Sequence, residues 1–455
     1  MIKKVLNNKK SHIHFIGIGG VSMSSLAKLL LSNGHIISGS DMNMSKNVEE
    51  LINLGAKIDI GHSSENIKNP DMIVYTAAVK KDNPELTCGL SKNILTVERC
   101  DLLGEIMLLY KNAINISGTH GKTTTTAMMS EVFLDAGLMP TVSIGGDFEK
   151  IGGNLNIGKD DFFICEACEY VESFLKFHPF ATIILNIEED HLDYFKDIEH
   201  IKGSFLKFAN LTDENGFVVI NKEDKECVEI SKDINRKVYT FGFSDSCDCY
   251  AKNIQFKGGK PTFDVYYNKE FKGNIELGVL GEHNILNSLS VILTALIYGI
   301  DYKIIKKSLS EFKGAKRRFE YKGTFGGAEV YDDYAHHPTE IETTIKSAKK
   351  KDYNNLYIVF QPHTYTRTKA LFEDFVKVLK NGENVIIADI YAAREKNTIG
   401  ISGKDLADKI PNAVYIPEFL QIENYLNKKV KANDLIITVG AGDVYKIGEN
   451  LIKKD

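Results

Sequence analysis

The stretch GTHGKT at residues 118–123 contains two glycines, a lysine and a threonine in the order used by phosphate-binding loops, although it is shorter than the full G-x-x-x-x-G-K-[ST] pattern. An apolar segment precedes it and a helical pattern follows it, so we predict a strand, a loop and a helix. The backbone N–H groups of such a loop converge on phosphate oxygens. Lys122 would neutralise the phosphates of ATP, and the Thr123 hydroxyl would bind Mg²⁺. The alternative is a glycine turn capped by threonines.

Two further polar side chains follow apolar segments of strand length. Glu166 ends the segment DFFICE, and His191 follows the segment ATIILNI. Because the carboxyl ends of neighbouring parallel strands meet at one edge of a sheet, we expect both side chains near Thr123. Oxygen ligands suit Mg²⁺, whereas imidazole is an uncommon ligand for so hard a cation, and His191 alone could be a structural residue. We predict Thr123, Glu166 and His191 as the metal ligands.

A second glycine-rich loop, GIGGVS, lies near the start of the chain. It departs from the dinucleotide-binding pattern G-x-G-x-x-G because Ser22 occupies the third glycine position. An acidic residue at the end of the next predicted strand is placed to hold a ribose hydroxyl. A nicotinamide dinucleotide and another nucleotide diphosphate both fit, and the triphosphate loop favours the second over a simple dehydrogenase. The predicted residues of this site are Gly17, Gly19, Gly20 and Asp41.

A third group of polar residues lies in the last third of the chain. The stretch YDDYAHHPTE places His336 and His337 side by side between a predicted strand and a helix. Adjacent histidines on a loop cannot both pack comfortably in a core, which favours a functional role. The stretch QPHTYTRT leaves another predicted strand and presents His363 and Arg367. Arg367 could hold a carboxylate with its two-pronged guanidinium, although a solvated arginine is also reasonable.

Alternating strand and helix patterns predict an α/β fold with three domains. We expect an N-terminal Rossmann-like domain at 1–107 and a C-terminal Rossmann-like α/β domain at 313–455. Between them, at 108–312, we expect a P-loop ATPase-type sheet. The β-rich segments KVYTFGF and PTFDVYYN would add antiparallel strands to that central sheet.

Composition excludes several classes of protein. The 455 residues are 43% hydrophobic and 26% charged, without an apolar run of membrane-spanning length or a secretory signal, so we expect a cytoplasmic protein with no membrane contact. A net charge of −5 gives no basic field for nucleic acid. Seven scattered cysteines form no disulfide framework, and we interpret CEAC and CDC as packing residues rather than zinc half-sites.

These motifs together resemble those of the Mur ligase family over nearly the whole chain, through HFIGIGG, SGTHGKTTTT, LNIEEDHLDYF, GEHNILN, RRFE, DDYAHHPTE and QPHTYTRT. The resemblance implies three domains that bind a UDP-sugar, ATP and an amino acid. It also implies an Mg²⁺-dependent ligase that joins L-alanine to the lactyl carboxylate of UDP-N-acetylmuramate through an acyl phosphate, using ATP. The alternative within the family is a murein peptide ligase that attaches a recycled tripeptide to the same sugar nucleotide.

The resemblance also assigns residues. It implies ATP contacts from the loop, from the GEHNILN segment and from the last domain: Gly118, Thr119, His120, Gly121, Lys122, Thr123, Thr124, His283, Asn284, Asn287, Arg318 and Asp332. His363 and Arg367 would receive the carboxylate of the amino acid, and Lys122 would assist phosphoryl transfer. His191 and His336 are both candidates for the base that takes the proton of the amine. Thr364 stands where many relatives have arginine, so binding would depend more on Arg367.

Two rival classes differ from a ligase. A nucleotide-binding sensor or motor would hydrolyse ATP without the sugar nucleotide, and a dehydrogenase would bind a nicotinamide cofactor. The resemblance gives no reason to expect a carbamylated lysine at Lys202 or Lys207. We expect a monomer or a weak homodimer.

Overall fold

The computed structural model describes residues 1–454 except 77, 160, 193 and 394. The described chain divides into two compact units. The first contains 1–250, 267–269 and 289–305, and the second contains the remainder. Among the described residues, no helix has both the length and the apolar character needed to cross a bilayer.

The first unit begins with a five-stranded parallel sheet in the order β3-β2-β1-β4-β5. Strand β1 is central, so the glycine loop that follows it opens at the carboxyl edge of the sheet, where this fold class binds ligands. The strands are β1 (His12–Ile16), β2 (Ile36–Asp41), β3 (Lys57–Ile60), β4 (Met72–Tyr75) and β5 (Leu95–Glu98). The helices are α1 (Ile2–Asn7), α2 (Val21–Ser32), α3 (Lys46–Asn53), α4 (Pro84–Ser91) and α5 (Arg99–Met107).

A second sheet of the first unit carries the phosphate loop. Its order within this unit is β12-β11-β10-β6-β9-β7-β8, and every neighbouring pair is parallel except β7 with β8. The strands are β6 (Asn112–Ser117), β7 (Thr141–Phe148), β8 (Gly153–Asn156), β9 (Phe162–Glu166), β10 (Ala181–Ile184), β11 (Phe217–Asn221) and β12 (Lys237–Gly242). The helices are α6 (Lys122–Asp135), α7 (Ile198–Asn210) and α8 (Lys225–Ser231).

The second unit contains most of strands β13 (Cys249–Lys257), β14 (Lys260–Tyr267) and β15 (Glu270–Glu276), and the start of α9 (His283–Ile297), which α10 (Tyr302–Glu311) follows. Its six-stranded sheet has the order β16-β17-β21-β18-β19-β20 and is parallel except for β16. The strands are β16 (Glu320–Phe325), β17 (Ala328–Asp333), β18 (Leu356–Phe360), β19 (Asn384–Ile387), β20 (Ala413–Tyr415) and β21 (Leu435–Val439). The helices are α11 (Pro338–Ala348), α12 (Tyr365–Ala370), α13 (Phe372–Leu379), α14 (Gly403–Ala407), α15 (Phe419–Lys429) and α16 (Tyr445–Lys454).

The α/β prediction is confirmed, with one correction in the central sheet. The segment PTFDVYY forms most of β14, and two-residue turns join this strand to β13 and β15. Turns this short can connect only antiparallel strands. The segment KVYTFG is β12, and it pairs in parallel with β11. The antiparallel prediction for KVYTFGF is therefore wrong. Alternating polar and apolar residues indicate that one face of a strand is exposed, but they do not indicate the direction of the strand. Helix α8 connects β11 to β12 and returns the chain to the same end of the sheet, so the two strands are parallel.

The two sheets of the first unit share one hydrophobic core. A single cluster of buried residues includes Phe15 on β1, Phe163 on β9 and Phe205 on α7. Helix α5 packs closely on the segment Tyr170–Lys176, and a Cβ atom at Gly104 would lie 1.9 Å from the Lys176 carbonyl oxygen. The core therefore holds the N-terminal sheet in a fixed position against the sheet that bears the phosphate loop.

The Gly104→Ala substitution tests this packing. We expect it to lower the midpoint of thermal unfolding, because the overpacked contact should cost about 1–3 kcal/mol. Gly203→Ala in α7 is the matched control: a Cβ atom there meets nothing within 4 Å, so it should leave stability unchanged or raise it. Equal midpoints for the two variants would contradict the close approach of α5.

Candidate active site

The phosphate loop at 118–121 joins the central strand β6 to helix α6. Gly118 and Gly121 have φ angles of 139° and 84°, which L-residues with side chains rarely adopt. Asn186, which follows β10, accepts a hydrogen bond from the His120 N–H through its side chain at 2.7 Å. The glycines and this contact fix the loop in a sharp turn at the carboxyl edge of the sheet. The sequence analysis did not identify Asn186.

Lys122 lies folded back over the loop. Its ammonium group donates to the carbonyl oxygens of Gly118 and Thr119 and lies 3.0 and 3.1 Å from the two carboxylate oxygens of Glu169. Burial opposes the charged form, but Glu169 outweighs it, and the pKa of Lys122 is raised. The sequence analysis missed Glu169, although an acid three residues after Glu166 in EACE was a signal.

Thr123 and Glu166 meet as predicted. The Thr123 hydroxyl donates to Glu166 Oε2 at 3.2 Å, and the Gly145 N–H donates to Glu166 Oε1 at 2.7 Å. A Cβ atom at Gly145 would lie 2.8 Å from the carboxylate, so glycine permits this approach. A hydroxyl and a carboxylate are the hard oxygen donors that Mg²⁺ prefers, and this pair therefore fits the ion. Thr124 follows in the first turn of α6.

His191 lies on a loop after β10, with a φ angle of 54°. Its ring contacts the Tyr170 ring, with centroids 4.6 Å apart, and its Nε2 atom lies 3.7 Å from a carboxylate oxygen of Asp190. Tyr170 is followed by Val171 and Glu172, whose φ angles of 49° and 55° are unusual for residues with side chains. The structure thus brings His191 against the segment that follows Glu169.

The N-terminal loop is closed by the predicted acidic residue. Gly17 has a φ angle of 78°, and Gly20 caps α2. The Gly19 N–H donates to Asp41 Oδ2 at 2.9 Å, and the Asn43 N–H donates to Asp41 Oδ1. Asp41 therefore holds the loop itself, in addition to any contact with a ribose.

Ser22 replaces the third glycine of the dinucleotide-binding pattern and lies in the first turn of α2. Arg99 donates from Nη1 to the Ser22 hydroxyl at 3.0 Å. A glycine could not accept this bond. The serine therefore links the diphosphate-type loop to the first residue of α5, a contact that the sequence analysis did not foresee.

Both glycine loops belong to the first unit, and a strand pair connects them. Asn154 on β8 donates to the Val21 carbonyl oxygen at 3.2 Å and to the Ser25 hydroxyl at 2.8 Å, both in α2. Strand β8 pairs with β7, which carries the Gly145 that binds Glu166. The start of α2 is thus joined through β8 and β7 to the carboxylate beside the phosphate loop.

The GEHNILN residues lie at the start of α9 in the second unit. His283 is exposed, whereas Asn284 and Asn287 are buried. Asn284 donates to the Leu280 carbonyl oxygen at 2.7 Å, and Asn287 donates to the Asn284 side chain at 2.9 Å. The two asparagines therefore shape the entry to this helix.

Asp332 lies beside Arg317, the residue that precedes the predicted Arg318. Its carboxylate is 1% exposed, accepts from Arg317 Nε at 3.0 Å and accepts from the Thr438 hydroxyl at 2.6 Å. Burial raises the pKa of Asp332, although Arg317 opposes the rise. Arg318 instead lies 4.0 Å from a carboxylate oxygen of Glu340. The two consecutive arginines thus lie beside different carboxylates, although both guanidinium groups lie over the Tyr334 ring.

His363 and Arg367 lie in contact in the second unit. Arg367 Nη1 lies 3.2 Å from His363 Nδ1. The His363 ring stacks on Tyr391 at 5.7 Å and lies 5.9 Å from the His336 ring, between centroids. Burial, with His336 and Arg367 nearby, lowers the pKa of His363 to about 4. At neutral pH the imidazole is therefore uncharged and accepts from Arg367. Thr364 caps α12 with its side chain.

Three family models match the chain in succession. The Mur ligase family, catalytic domain, matches residues 12–111, the Mur ligase middle domain matches 116–295, and the Mur ligase, glutamate ligase domain, matches 317–442. The UDP-N-acetylmuramate–L-alanine ligase of Acetivibrio thermocellus is 51% identical over 98% of this chain and 96% of its own length. The enzyme of the same name from Clostridium novyi is 49% identical over 98% of each chain.

Solved structures agree with these sequence relatives. The UDP-N-acetylmuramate-alanine ligase MurC of Thermotoga maritima has a TM-score of 0.82 at 28% identity and covers 98% of this chain and 99% of its own. A murein peptide ligase of Psychrobacter arcticus has a TM-score of 0.73 at 25% identity and covers 97% and 98% of the two chains. On the three family models and the relatives that are about half identical, the chain belongs to the Mur ligase family.

Proposed function

We propose that this protein joins L-alanine to the lactyl carboxylate of UDP-N-acetylmuramate, using ATP, in the synthesis of peptidoglycan precursors. The observation that carries the proposal is the near-complete match, at about half identity, to ligases of that name. The linkage of two nucleotide-type loops within one unit supports it, because a ligase must bring a sugar nucleotide to ATP. We expect the reaction to take place in the cytoplasm, where ATP is supplied.

The chemistry explains the need for ATP. A free carboxylate is a poor acyl donor because its leaving group would be oxide. In the proposed first step, a lactyl carboxylate oxygen forms a bond to the γ-phosphorus of ATP while the bond between that phosphorus and ADP breaks. Lys122 stabilises the charge that develops on the phosphoryl oxygens. Thr123 and Glu166 would hold Mg²⁺, with His191 as a third candidate ligand, and the ion would supply further positive charge.

The second step makes the amide bond. Arg367, oriented by the neutral His363 imidazole, would hold the carboxylate of alanine with a charge-assisted hydrogen bond. The amine of alanine then attacks the acyl phosphate, a tetrahedral intermediate forms and inorganic phosphate leaves. The proton of the amine goes to a base, for which His191 and His336 are both candidates.

The remaining assignments belong to the same proposal. Gly17, Gly19, Gly20 and Asp41 would bind the UDP-sugar, while Asn284, Asn287 and their neighbours would receive ATP. The proposed boundaries after residues 107 and 312 divide the chain into sugar-binding, ATP-binding and amino-acid-binding domains. No step requires a second copy of the chain, in keeping with a monomer or a weak homodimer.

Phosphate release from ATP tests the reaction as a whole. With Mg²⁺ present, we expect release only when UDP-N-acetylmuramate and L-alanine are both added, because the acyl phosphate forms from the sugar nucleotide and gives up its phosphate when the amine of alanine attacks it. Serine, glycine and a preformed murein tripeptide serve as competing acceptors in separate assays. Release without the sugar nucleotide would indicate a nucleotide sensor or motor, and a preference for the tripeptide would indicate a murein peptide ligase.

The Lys122→Ala substitution tests the phosphate site. We expect turnover to fall by about 100- to 1,000-fold or more, because a cation aimed at the developing charge is lost. Affinity for UDP-N-acetylmuramate, measured by calorimetry, should stay unchanged. Lys111→Ala is the matched control, since Lys111 lies just before β6, is exposed and pairs only with a surface carboxylate among its described contacts. Undiminished turnover in the Lys122 variant would refute the site assignment.

The Arg367→Ala substitution tests the amino-acid site. We expect the KM for L-alanine to rise by about 10- to 100-fold, as for loss of a hydrogen bond to a charged group, while the KM for ATP changes little. Lys369→Ala removes a charge from the same helix but leaves the contact between Arg367 and His363 intact, so it serves as the control. Steady-state kinetics at saturating ATP would measure both. A similar KM for L-alanine in the wild type and the Arg367 variant would sink the assignment.

A further inference from the structure

We propose that Glu169 is a positioning residue of the ATP site that holds the Lys122 ammonium group in the nucleotide-free loop and releases it to the phosphates. Glu169 would thereby weaken ATP binding. This inference rests on the proposed function, because it takes the loop at 118–123 as the ATP site.

The resting contacts of Lys122 use its whole bonding capacity. An ammonium group has three protons to donate. Lys122 shares them among the carbonyl oxygens of Gly118 and Thr119 and the carboxylate of Glu169, with both Glu169 oxygens within 3.1 Å. A triphosphate therefore cannot gain Lys122 without displacing one of these acceptors. Among these acceptors, the Glu169 carboxylate is the anion, so it competes with the phosphates for the Lys122 charge.

Burial makes this competition strong. The Glu169 side chain is 4% exposed and that of Lys122 is 17% exposed, so water screens their attraction weakly. Once Lys122 turns to the phosphates, Glu169 is left as a buried carboxylate close to a highly negative ligand. Both the lost ion pair and the repulsion count against the bound state.

The geometry also indicates which partner moves. Lys122 has a long, flexible side chain, and it can keep a loop carbonyl oxygen while its ammonium group swings. Glu169 is followed by Tyr170, whose ring lies against His191, and by Glu172, which accepts a hydrogen bond from the Tyr194 hydroxyl at 3.1 Å. These contacts fix the segment that bears Glu169. The lysine therefore exchanges partners while the carboxylate stays in place.

The Glu169→Gln substitution tests the inference by its direction. We expect the Kd for a non-hydrolysable ATP analogue with Mg²⁺, measured by calorimetry on the full chain, to fall by about tenfold. The Kd for AMP should not change, because AMP lacks the phosphates that Lys122 reaches. Glu172→Gln is the matched control: it removes a negative charge three residues away but keeps an amide oxygen that can accept from the Tyr194 hydroxyl, and it should leave the Kd for the analogue unchanged.

A purely structural Glu169 would give the opposite result. In that case the Kd for the analogue would stay the same or rise in the Glu169 variant, which overturns the inference. Glu169→Asp keeps the charge but withdraws it from Lys122, and it should lower the Kd by a smaller factor. It provides the test if the glutamine variant fails to fold, as judged by thermal unfolding, and an unchanged or higher Kd for it would also overturn the inference.

The Lys122→Ala background separates this inference from the proposed function. If Lys122→Ala binds the analogue as tightly as the wild type, the assignment of the ATP site fails. If Lys122→Ala loses affinity but Glu169→Gln gains none, only the role of Glu169 fails. In the double variant, Glu169→Gln should no longer tighten binding by the full tenfold, because the cation for which the two anions compete is gone.

Discussion

A buried ammonium group needs an anionic partner, and the phosphate site is organised around that requirement. Lys122 meets it with Glu169, whose carboxylate lies 3.0 Å from the ammonium group. Lys122 can exchange Glu169 for a phosphate group only if the loop keeps its shape. Glycines with positive φ angles and the Asn186 contact maintain that shape. The parallel sheet provides the setting, because β6, β9 and β10 all end at the same edge. On the proposal made above, a rigid loop and a lysine that exchanges partners would together bind a triphosphate.

The same logic of charge extends to the other ligands. Each proposed substrate carries an anionic group, and each would bind a different structural feature. These are a glycine loop closed by Asp41, a phosphate loop with Lys122, and an arginine beside a neutral histidine. The continuous core of the first unit and the bonds from Asn154 to α2 keep the first two devices at a fixed spacing. Such spacing is what the direct transfer of a phosphoryl group to a carboxylate demands.

Local sequence predicted the parts of the site whose geometry follows from strand order. Thr123 meets Glu166, and Arg367 meets His363, because each pair lies at the ends of neighbouring elements or within one turn. Glu169 was not predicted, because its role depends on the turn after β9 and not on a periodic pattern. The pairing of Arg317 with Asp332 was not predicted, because the left-handed backbone at residue 317 has no signal in the RRFE stretch.

The direction of β12 is a feature of the fold that sequence patterns also could not predict. Its alternating residues reported exposure, while the crossover through α8 decided that it runs parallel to β11. The contact between Tyr170 and His191 joins residues from two separate loops, and no spacing rule links them. In physical terms, the sequence predicts what single elements impose, and tertiary packing supplies the rest.

The central claim is that the sugar carboxylate itself attacks ATP, and an isotope measurement tests it most directly. UDP-N-acetylmuramate labelled with ¹⁸O in both lactyl carboxylate oxygens would be converted with ATP, Mg²⁺ and L-alanine, and the released phosphate would be analysed by mass spectrometry. The account predicts one ¹⁸O atom in each phosphate, because the oxygen that bridges carbon and phosphorus leaves with phosphorus. Unlabelled phosphate, with the displaced ¹⁸O recovered in water, would contradict it.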